Sequence, residues 1–221
     1  MPGKQNPSAK PYVIVIAGYV GSGKSTIAAN LSRMLEDAPV LIFDHYEKYV
    51  EWPQDINQWM RDGADPNQIH IPKLKEDLLS LLKGIPIADP LNGKRIIPSK
   101  YILLEEPSGR GRQEIRETID LVVYIDVPQD VCLTRLVERV MDMEVWNSKG
   151  TFEGESKEEL VRQLDAVASW INQYRRARSM YMLGSGMALQ KADIIVNGMK
   201  TIEEITTDVL TAIKDKKGTL V

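Results

Sequence analysis

A short apolar segment, a glycine-rich loop and an amphipathic helix follow one another near the start of the chain. Residues 11–17 (PYVIVIA) are rich in β-branched side chains, a composition typical of a strand that is buried on both faces. Residues 25–36 follow the loop and carry apolar side chains on one helical face. A buried strand that passes through glycines directly into a helix predicts an α/β fold, because this connection places the helix back against the sheet.

The same alternation of strand and helix patterns continues along the chain. Further apolar segments of strand length lie at residues 39–43, 101–104, 121–125 and 192–196. Helical patterns cover residues 73–83, 129–146, 156–183 and 201–214. In the third of these helices we expect Ser156 and Glu159 to form a capping box at the start and Gly184 and Gly186 to mark the end. The alternation predicts a parallel sheet with helices on both faces, in which ligands bind beyond the carboxyl ends of the strands.

Length and composition narrow the class of protein. The 221 residues and the 43% hydrophobic content predict a single domain spanning residues 1–221, with residues 1–10 as a flexible tail. The formal charge of −3, from 28 basic and 31 acidic residues, gives no basis for binding nucleic acid or an anionic membrane surface. No apolar run approaches the roughly 20 residues that span a bilayer. The lone cysteine, Cys132, cannot form an intramolecular disulfide, so a cytoplasmic location is expected.

Residues 18–25 (GYVGSGKS) match the pattern G-x-x-x-x-G-K-S/T of a phosphate-binding loop. Glycines let backbone N–H groups approach phosphate oxygens, and the start of the following helix adds its positive dipole end. In this pattern Lys24 contacts the β- and γ-phosphates and so takes part in catalysis, while the hydroxyl of Ser25 is suited to Mg²⁺. We therefore predict that ATP and Mg²⁺ are bound here. The predicted nucleotide-binding residues are Gly18, Gly21, Ser22, Gly23, Lys24, Ser25 and Thr26.

Phosphate binding alone does not distinguish a kinase from a GTPase or a mechanical ATPase. The sequence has no Asn-Lys-x-Asp segment for reading guanine, and its length leaves little room for the machinery of a motor. A kinase that acts on a small-molecule acceptor fits best. One rival is a nucleoside monophosphate kinase, in which Arg110, Arg112 and Arg116 could bind the acceptor phosphate. The other is a noncatalytic nucleotide-dependent switch, and a homo-oligomer is compatible with the sequence in each case.

Carboxylates follow two of the predicted strands. Asp44 ends the second strand, where it could accept the proton of an attacking hydroxyl, bind a Mg²⁺-bound water or simply cap the next turn. Glu105 ends the third strand, at the position of an acid beside the metal. Glu106 competes for that role, because neighbouring residues of a strand point to opposite sides. We favour Glu105, with Ser25, as the metal ligand.

Two arginines on the helix at residues 129–146 are candidates for contact with the transferring phosphoryl group. Arg135 and Arg139 are spaced i, i+4 and therefore share a face. They precede residues 140–156, whose glycines and polar side chains predict a lid that closes over the nucleotide. The alternative is a solvated helix face on which the arginines pair with Glu138.

The segment at residues 45–72 separates the second strand from the next helix and predicts an acceptor-side insertion. It contains several prolines and aromatic residues close to Asp44 in the sequence. We expect the acceptor pocket to use Tyr46, Tyr49, Trp52 and further residues from the range 51–72.

In combination these motifs resemble the uridine kinase and phosphoribulokinase group of P-loop kinases. The matching pieces are residues 18–25, 44–46, 103–105, 121–126, 133–139 and 191–198. The resemblance implies a P-loop NTPase three-layer sandwich with a lid and a five-stranded parallel sheet of order 2-3-1-4-5. It also implies Asp44 as the catalytic base, Glu105 beside the metal, and Arg135 and Arg139 as lid residues in catalysis. The chain departs from the group at residues 88–94, which lack the Pro-Tyr pair and the histidine that hold the base, so the acceptor is left open.

Overall fold

The computed structural model describes residues 10–144 and 156–218. Its strands are β1 Tyr12–Gly18, β2 Val40–Ile42, β3 Ile87–Ala88, β4 Arg95–Ile96, β5 Tyr101–Glu105, β6 Leu121–Asp126 and β7 Ile194–Asn197. Its α-helices are α1 Lys24–Met34, α2 Ile56–Arg61, α3 Pro72–Leu82, α4 Gln129–Glu144, α5 Lys157–Gln190 and α6 Ile202–Gly218. Short 3₁₀ helices include Phe43–Tyr49, Pro66–Gln68 and Gly109–Gly111. Most of the predicted tail at 1–10 and of the predicted lid at 140–156 lies outside the described residues.

Five strands form one parallel sheet in the order β2-β5-β1-β6-β7. Counted within this sheet alone, the order is 2-3-1-4-5, so the predicted topology is confirmed, while β3 and β4 form a separate antiparallel hairpin. Ile16 of β1 and Ile42 of β2 both pair with Glu105, and Gly18 pairs with Ile125. This register brings the end of β1, the end of β5 and the segment after β2 to one edge of the sheet.

Alternate residues of β1 pack into separate cores on the two faces of the sheet. Val13 and Val15 belong to the cluster that contains side chains of α3. Ile14 and Ile16 belong to the cluster that contains side chains of α1 and α6. All four are 0% exposed, and burying a side chain of this kind stabilises a fold by about 1.5–3 kcal/mol. Helices therefore cover both faces, which confirms the predicted α/β class.

Helix α5 runs without a break to Gln190, so the prediction that Gly184 and Gly186 end it is wrong. The helix instead passes very close to the 3₁₀ helix Gly109–Gly111 and the residue before it. A Cβ added to Gly184 would lie 3.1 Å from Ser108 Oγ. Glycine in a helix costs about 1 kcal/mol relative to alanine, and this close packing offsets the cost. Neither α5 nor any other helix in the described ranges is long and apolar enough to cross a membrane.

Candidate active site

The glycine-rich loop takes a backbone conformation that side chains would obstruct. Gly21 has a φ of 83°, and a Cβ on it would lie 2.5 Å from the carbonyl oxygen of Cys132. Gly23 has a φ of 92° and precedes α1 as its N-cap, with no side chain capping the first turn. The backbone N–H groups in the first turn of α1 are thus available to donate hydrogen bonds to a ligand, and the oxygen atoms of an anion such as phosphate are suitable acceptors. Ser22 adds a buried Oγ that has no hydrogen-bond partner in the described part of the chain.

Lys24 is the cation of this loop. Its Nζ donates a hydrogen bond of 3.1 Å to the carbonyl oxygen of Tyr19. Desolvation lowers the pKa of Lys24, while the carboxylates of Glu105 and Asp44 act against this shift. The ammonium group therefore lies within electrostatic reach of both carboxylates, and phosphate oxygens bound beside it would favour its charged form.

Glu105 presents a buried carboxylate at the end of β5. Its residue is 7% exposed, and Oε2 has no hydrogen-bond partner among the described residues. Burial raises the pKa of Glu105, with Lys24 and a hydrogen bond from the Ser25 hydroxyl acting in the opposite sense. An unpartnered carboxylate oxygen beside a serine hydroxyl fits Mg²⁺, which is commonly held by one or two carboxylates together with phosphate oxygens. The described residues contain no group of three or more His, Cys, Asp or Glu side chains that could by themselves hold a metal ion.

Glu106 is engaged elsewhere. It is 0% exposed, and its Oε1 accepts a hydrogen bond of 2.7 Å from Nε of Arg112. Its Oε2 accepts another, of 2.8 Å, from the backbone N–H of Ser108. Glu105 lines the pocket beside the glycine-rich loop and Glu106 does not. The alternation of side chains along an extended chain accounts for this division between neighbouring residues.

Asp44 lies directly after β2, in the 3₁₀ helix Phe43–Tyr49, and is exposed to solvent. It lines the same pocket as Lys24 and Glu105. Its carboxylate is close enough to influence the pKa of both. Three charged groups that are far apart in the sequence thus meet at one edge of the sheet.

The residue after Asp44 anchors this segment, and sequence reasoning missed it. Nδ1 of His45 lies 3.1 Å from Oδ2 of Asp89, which belongs to the loop of the β3–β4 hairpin. Burial raises the pKa of Asp89, but hydrogen bonds from Leu91 N, Asn92 N and His45 outweigh it and lower the pKa overall. No local sequence pattern links two side chains this far apart along the chain. The hairpin therefore positions the 3₁₀ helix that carries the candidate base.

The walls of the pocket match the expectation only in part. The insertion contributes Pro66 and Ile69, which lie within the expected range 51–72, whereas the side chains of Tyr46, Tyr49 and Trp52 are not among the lining residues. The first of these, Tyr46, is fully buried and donates a hydrogen bond to Asp77, and Trp52 packs edge-on against Trp59. Residues that lie far along the chain on α5 complete the pocket. They are Met180, Tyr181 and Gly184.

Arg135 and Arg139 lie on α4, outside the residues that line this pocket. Arg135 is partly exposed and Arg139 is exposed. Neither forms an ion pair within the described ranges, so the alternative pairing with Glu138 is not seen there. Residues 145–155 of the predicted lid lie outside the described residues, and a role of the arginines in catalysis stays a prediction.

Comparisons with known proteins identify relatives among kinases. A uridine kinase of Borrelia turicatae is 32% identical to the chain over 141 residues, which cover 58% of the chain and 67% of that protein. A uridine kinase of Pasteurella multocida is 27% identical over 202 residues, covering 83% of the chain and 84% of that protein. Among solved structures, the shikimate kinase of Aquifex aeolicus has a TM-score of 0.40 and 20% identity, covering 93% of the chain and 98% of that structure. No family model matches the sequence.

Proposed function

The chain belongs to the uridine kinase family and is an ATP-dependent phosphotransferase, and on this premise we propose that it transfers the γ-phosphoryl group of ATP to a hydroxyl group of a small molecule. The observation that carries the proposal is the convergence of Lys24, Asp44 and Glu105 on one pocket beside the glycine-rich loop. They supply a cation for phosphate, a base for the acceptor proton and a ligand for the metal.

Each residue has a separate task in the proposed transfer. The N–H groups at the start of α1 and the ammonium group of Lys24 hold the β- and γ-phosphates. The acceptor oxygen forms a bond to the γ-phosphorus as the bond from that phosphorus to the oxygen of ADP breaks. The proton of the acceptor hydroxyl passes to the carboxylate of Asp44, and ADP leaves. Ser25 and Glu105 would hold Mg²⁺, which supplies positive charge against the phosphate oxygens.

A nucleoside monophosphate kinase receives less support, because the arginines proposed for its acceptor phosphate have other partners. Arg110 and Arg112 are held by ion pairs with carboxylates, and Arg116 pairs with its sequence neighbour on the surface. The respective partners are Asp193, Glu106 and Glu117. A phosphate group on the acceptor would have to displace these carboxylates, which costs more than binding to arginines without partners. A hydroxyl acceptor therefore fits the pocket better.

The test of the proposal is ADP formation with a panel of hydroxyl-bearing metabolites, comparing wild type with Asp44→Asn. We expect the variant to lower kcat about 10²- to 10⁴-fold and to leave the Kd for ATP nearly unchanged, because it removes only the proton acceptor. Glu47→Gln is the matched control, since Glu47 is an exposed acid on the same 3₁₀ helix. Normal turnover by Asp44→Asn would exclude Asp44 as the base.

The role of the glycine-rich loop is tested separately with Lys24→Ala. Loss of the ammonium group should weaken ATP binding and lower turnover together, since Lys24 contacts phosphate in both the ground state and the transition state. Calorimetric titration with ATP measures the first effect and ADP formation the second. Unchanged values for both would remove this loop from the mechanism.

A further inference from the structure

The charged side chains of the pocket leave little positive charge for a nucleotide. Those among the described lining residues are Lys24, Arg112, Asp44 and Glu105. Arg112 is 2% exposed, and its Nε donates a hydrogen bond of 2.7 Å to Glu106, so its charge is already neutralised. Lys24 therefore faces two carboxylates, and the triphosphate of ATP adds further negative charge. Because phosphoryl transfer depends mainly on neutralising this charge, a further cation beside the pocket would assist the reaction.

Helix α5 runs beside the glycine-rich loop and reaches the pocket. Tyr174 is 8% exposed, and its hydroxyl lies 2.8 Å from the hydroxyl of Tyr19 in the loop. Tyr181 lies about two turns further along α5 and lines the pocket. The ring centroids of Tyr174 and Tyr181 are 6.1 Å apart, so both rings lie on the same side of the helix. This side of α5 therefore extends from the loop that would hold phosphate to the wall of the pocket.

Arg178 lies between these two tyrosines on α5. It follows Tyr174 by four residues and precedes Tyr181 by three, a spacing that places all three on one face of the helix. Burial and the hydrogen bond with Tyr174 raise the pKa of Tyr19, and the charge of Arg178 acts in the opposite sense, so Arg178 lies within electrostatic reach of the loop. Its side chain is exposed and forms no ion pair with any residue that the structure describes. The site proposed for phosphate thus has an arginine beside it whose charge no described carboxylate neutralises.

We propose that Arg178 is a catalytic residue whose guanidinium group contacts the γ-phosphate of ATP and stays in contact with it during the transfer. The proposal rests on the proposed phosphoryl transfer and adds a residue to it. A guanidinium group keeps its charge at physiological pH and presents its donors in a planar fork that matches the oxygens of a phosphate group. Arg178 lies just outside the residues that line the pocket, and its long side chain can reach a ligand that extends from the pocket over the loop.

Arg176 provides a matched control on the same helix. It is exposed and forms no ion pair within the ranges that the structure describes. It follows Tyr174 by two residues, which places it roughly 200° away around the helix and therefore on the side that faces away from the loop. Arg176→Ala changes the net charge of the protein as Arg178→Ala does, but it should not affect a ligand bound at the loop.

The first experiment measures nucleotide binding and needs no acceptor. Calorimetric titration in the presence of Mg²⁺ gives the Kd for ATP and for ADP in wild type, Arg178→Ala and Arg176→Ala. We expect Arg178→Ala to raise the Kd for ATP about 10-fold and to change the Kd for ADP less than about 2-fold, because ADP lacks the γ-phosphate. Arg176→Ala should leave both values unchanged.

The second experiment measures ADP formation with the best acceptor of the hydroxyl panel. Arg178→Ala should lower kcat about 10²-fold or more, because the charge of the transferring group loses its counter-ion. Arg178→Lys should recover only part of this loss, since lysine keeps the charge but not the planar fork. Guanidinium ions added at millimolar concentration should partly restore the kcat of Arg178→Ala, since they replace the missing group. The Tm should not change, because Arg178 is exposed.

Each contrary result leads to a different conclusion. Equal losses of affinity for ATP and ADP in Arg178→Ala, or a loss that Arg176→Ala shares, would overturn the contact with the γ-phosphate and leave phosphoryl transfer standing. A fall in kcat together with a fall in Tm and no rescue by guanidinium would show that Arg178 is structural, which also overturns the proposal. ADP formation that no hydroxyl compound stimulates in wild type would overturn the proposed transfer itself, while the Kd values for ATP and ADP still decide whether Arg178 contacts the γ-phosphate.

Discussion

Replacing Glu106 by glutamine should lower stability strongly and leave phosphoryl transfer in place. The side chain is fully buried and accepts hydrogen bonds from Arg112 Nε and Ser108 N, at 2.7 and 2.8 Å. Glutamine keeps the shape but removes the negative charge, so the buried guanidinium group loses its counter-ion. Breaking such a pair costs about 3–5 kcal/mol. For a domain of this size that corresponds to a fall in Tm of roughly 6–20 °C.

The neighbouring glutamate provides the matched control. Burial raises the pKa of Glu105, which means that the folded protein disfavours the ionised form of this side chain. Replacing it by the neutral glutamine should therefore change Tm much less than Glu106→Gln does. The same variant removes the proposed metal ligand, so we expect kcat to fall about 100-fold or more. Thermal unfolding followed by circular dichroism gives Tm, and ADP formation below the unfolding temperature gives kcat. The opposite pattern, a stable but inactive Glu106→Gln and an unstable but active Glu105→Gln, would show that the two roles have been interchanged.

Two other predictions concern side-chain contacts outside the pocket. Asp193 accepts hydrogen bonds from Lys216 and Arg110, and Asp193→Asn should destabilise the protein by about 1–2 kcal/mol near neutral pH. Burial raises the pKa of Asp193, but hydrogen bonds from Lys216, Val122 N and Arg110 lower it overall from its ordinary value of 3.8. The deficit of the variant should therefore begin to shrink as the pH falls below 3.8 and be lost as the pH falls through the lower pKa of the folded state. The hydroxyl of Tyr174 lies 2.8 Å from that of Tyr19 in the glycine-rich loop, and Tyr174→Phe should raise the KM for ATP several-fold, as measured by steady-state kinetics.

The outcomes that would contradict these predictions are distinct. Chemical denaturation from pH 3 to 8 measures the stability of Asp193→Asn, and a deficit that stays constant over this range would exclude ionisation of Asp193 as its source. For Tyr174→Phe the control is Tyr49→Phe, because Tyr49 is 39% exposed and lies outside the loop. An equal KM for ATP in the two variants would show that the Tyr19–Tyr174 contact does not support the loop.

Much of the fold could be predicted because the sequence patterns that mark its strands and helices lie within short segments of the chain. The hydroxyl of Ser156 accepts the backbone N–H of Glu159, as the spacing of a capping box predicts. The same local reasoning failed at Gly184, because helix propensity alone disfavours glycine. There the packing of α5 against Ser108 decides the outcome, and that contact joins residues far apart in the sequence.

The candidate site likewise combines features that the sequence predicts with features that only the structure shows. Alternation along β5 showed that Glu105 and Glu106 point to opposite sides, but it could not say which side faces the nucleotide. The ion pair with Arg112 and the pairing of Glu105 with Ile16 of β1 decide that question in the structure. Position in the sequence near Asp44 also suggested Tyr46 as a pocket residue, whereas its side chain turns into the core to reach Asp77.

The glycine-rich loop at residues 18–25 could be recognised from eight consecutive letters, because its function depends on backbone conformations that only the local residue types permit. The acceptor side could not be recognised, since its walls come from residues near 43, 66, 108 and 180 that no short pattern connects. Chain folding brings these residues together through long-range packing and strand register. The phosphate-binding loop of this protein can therefore be recognised from its local sequence, whereas the residues that line the acceptor side are brought together only by the tertiary structure.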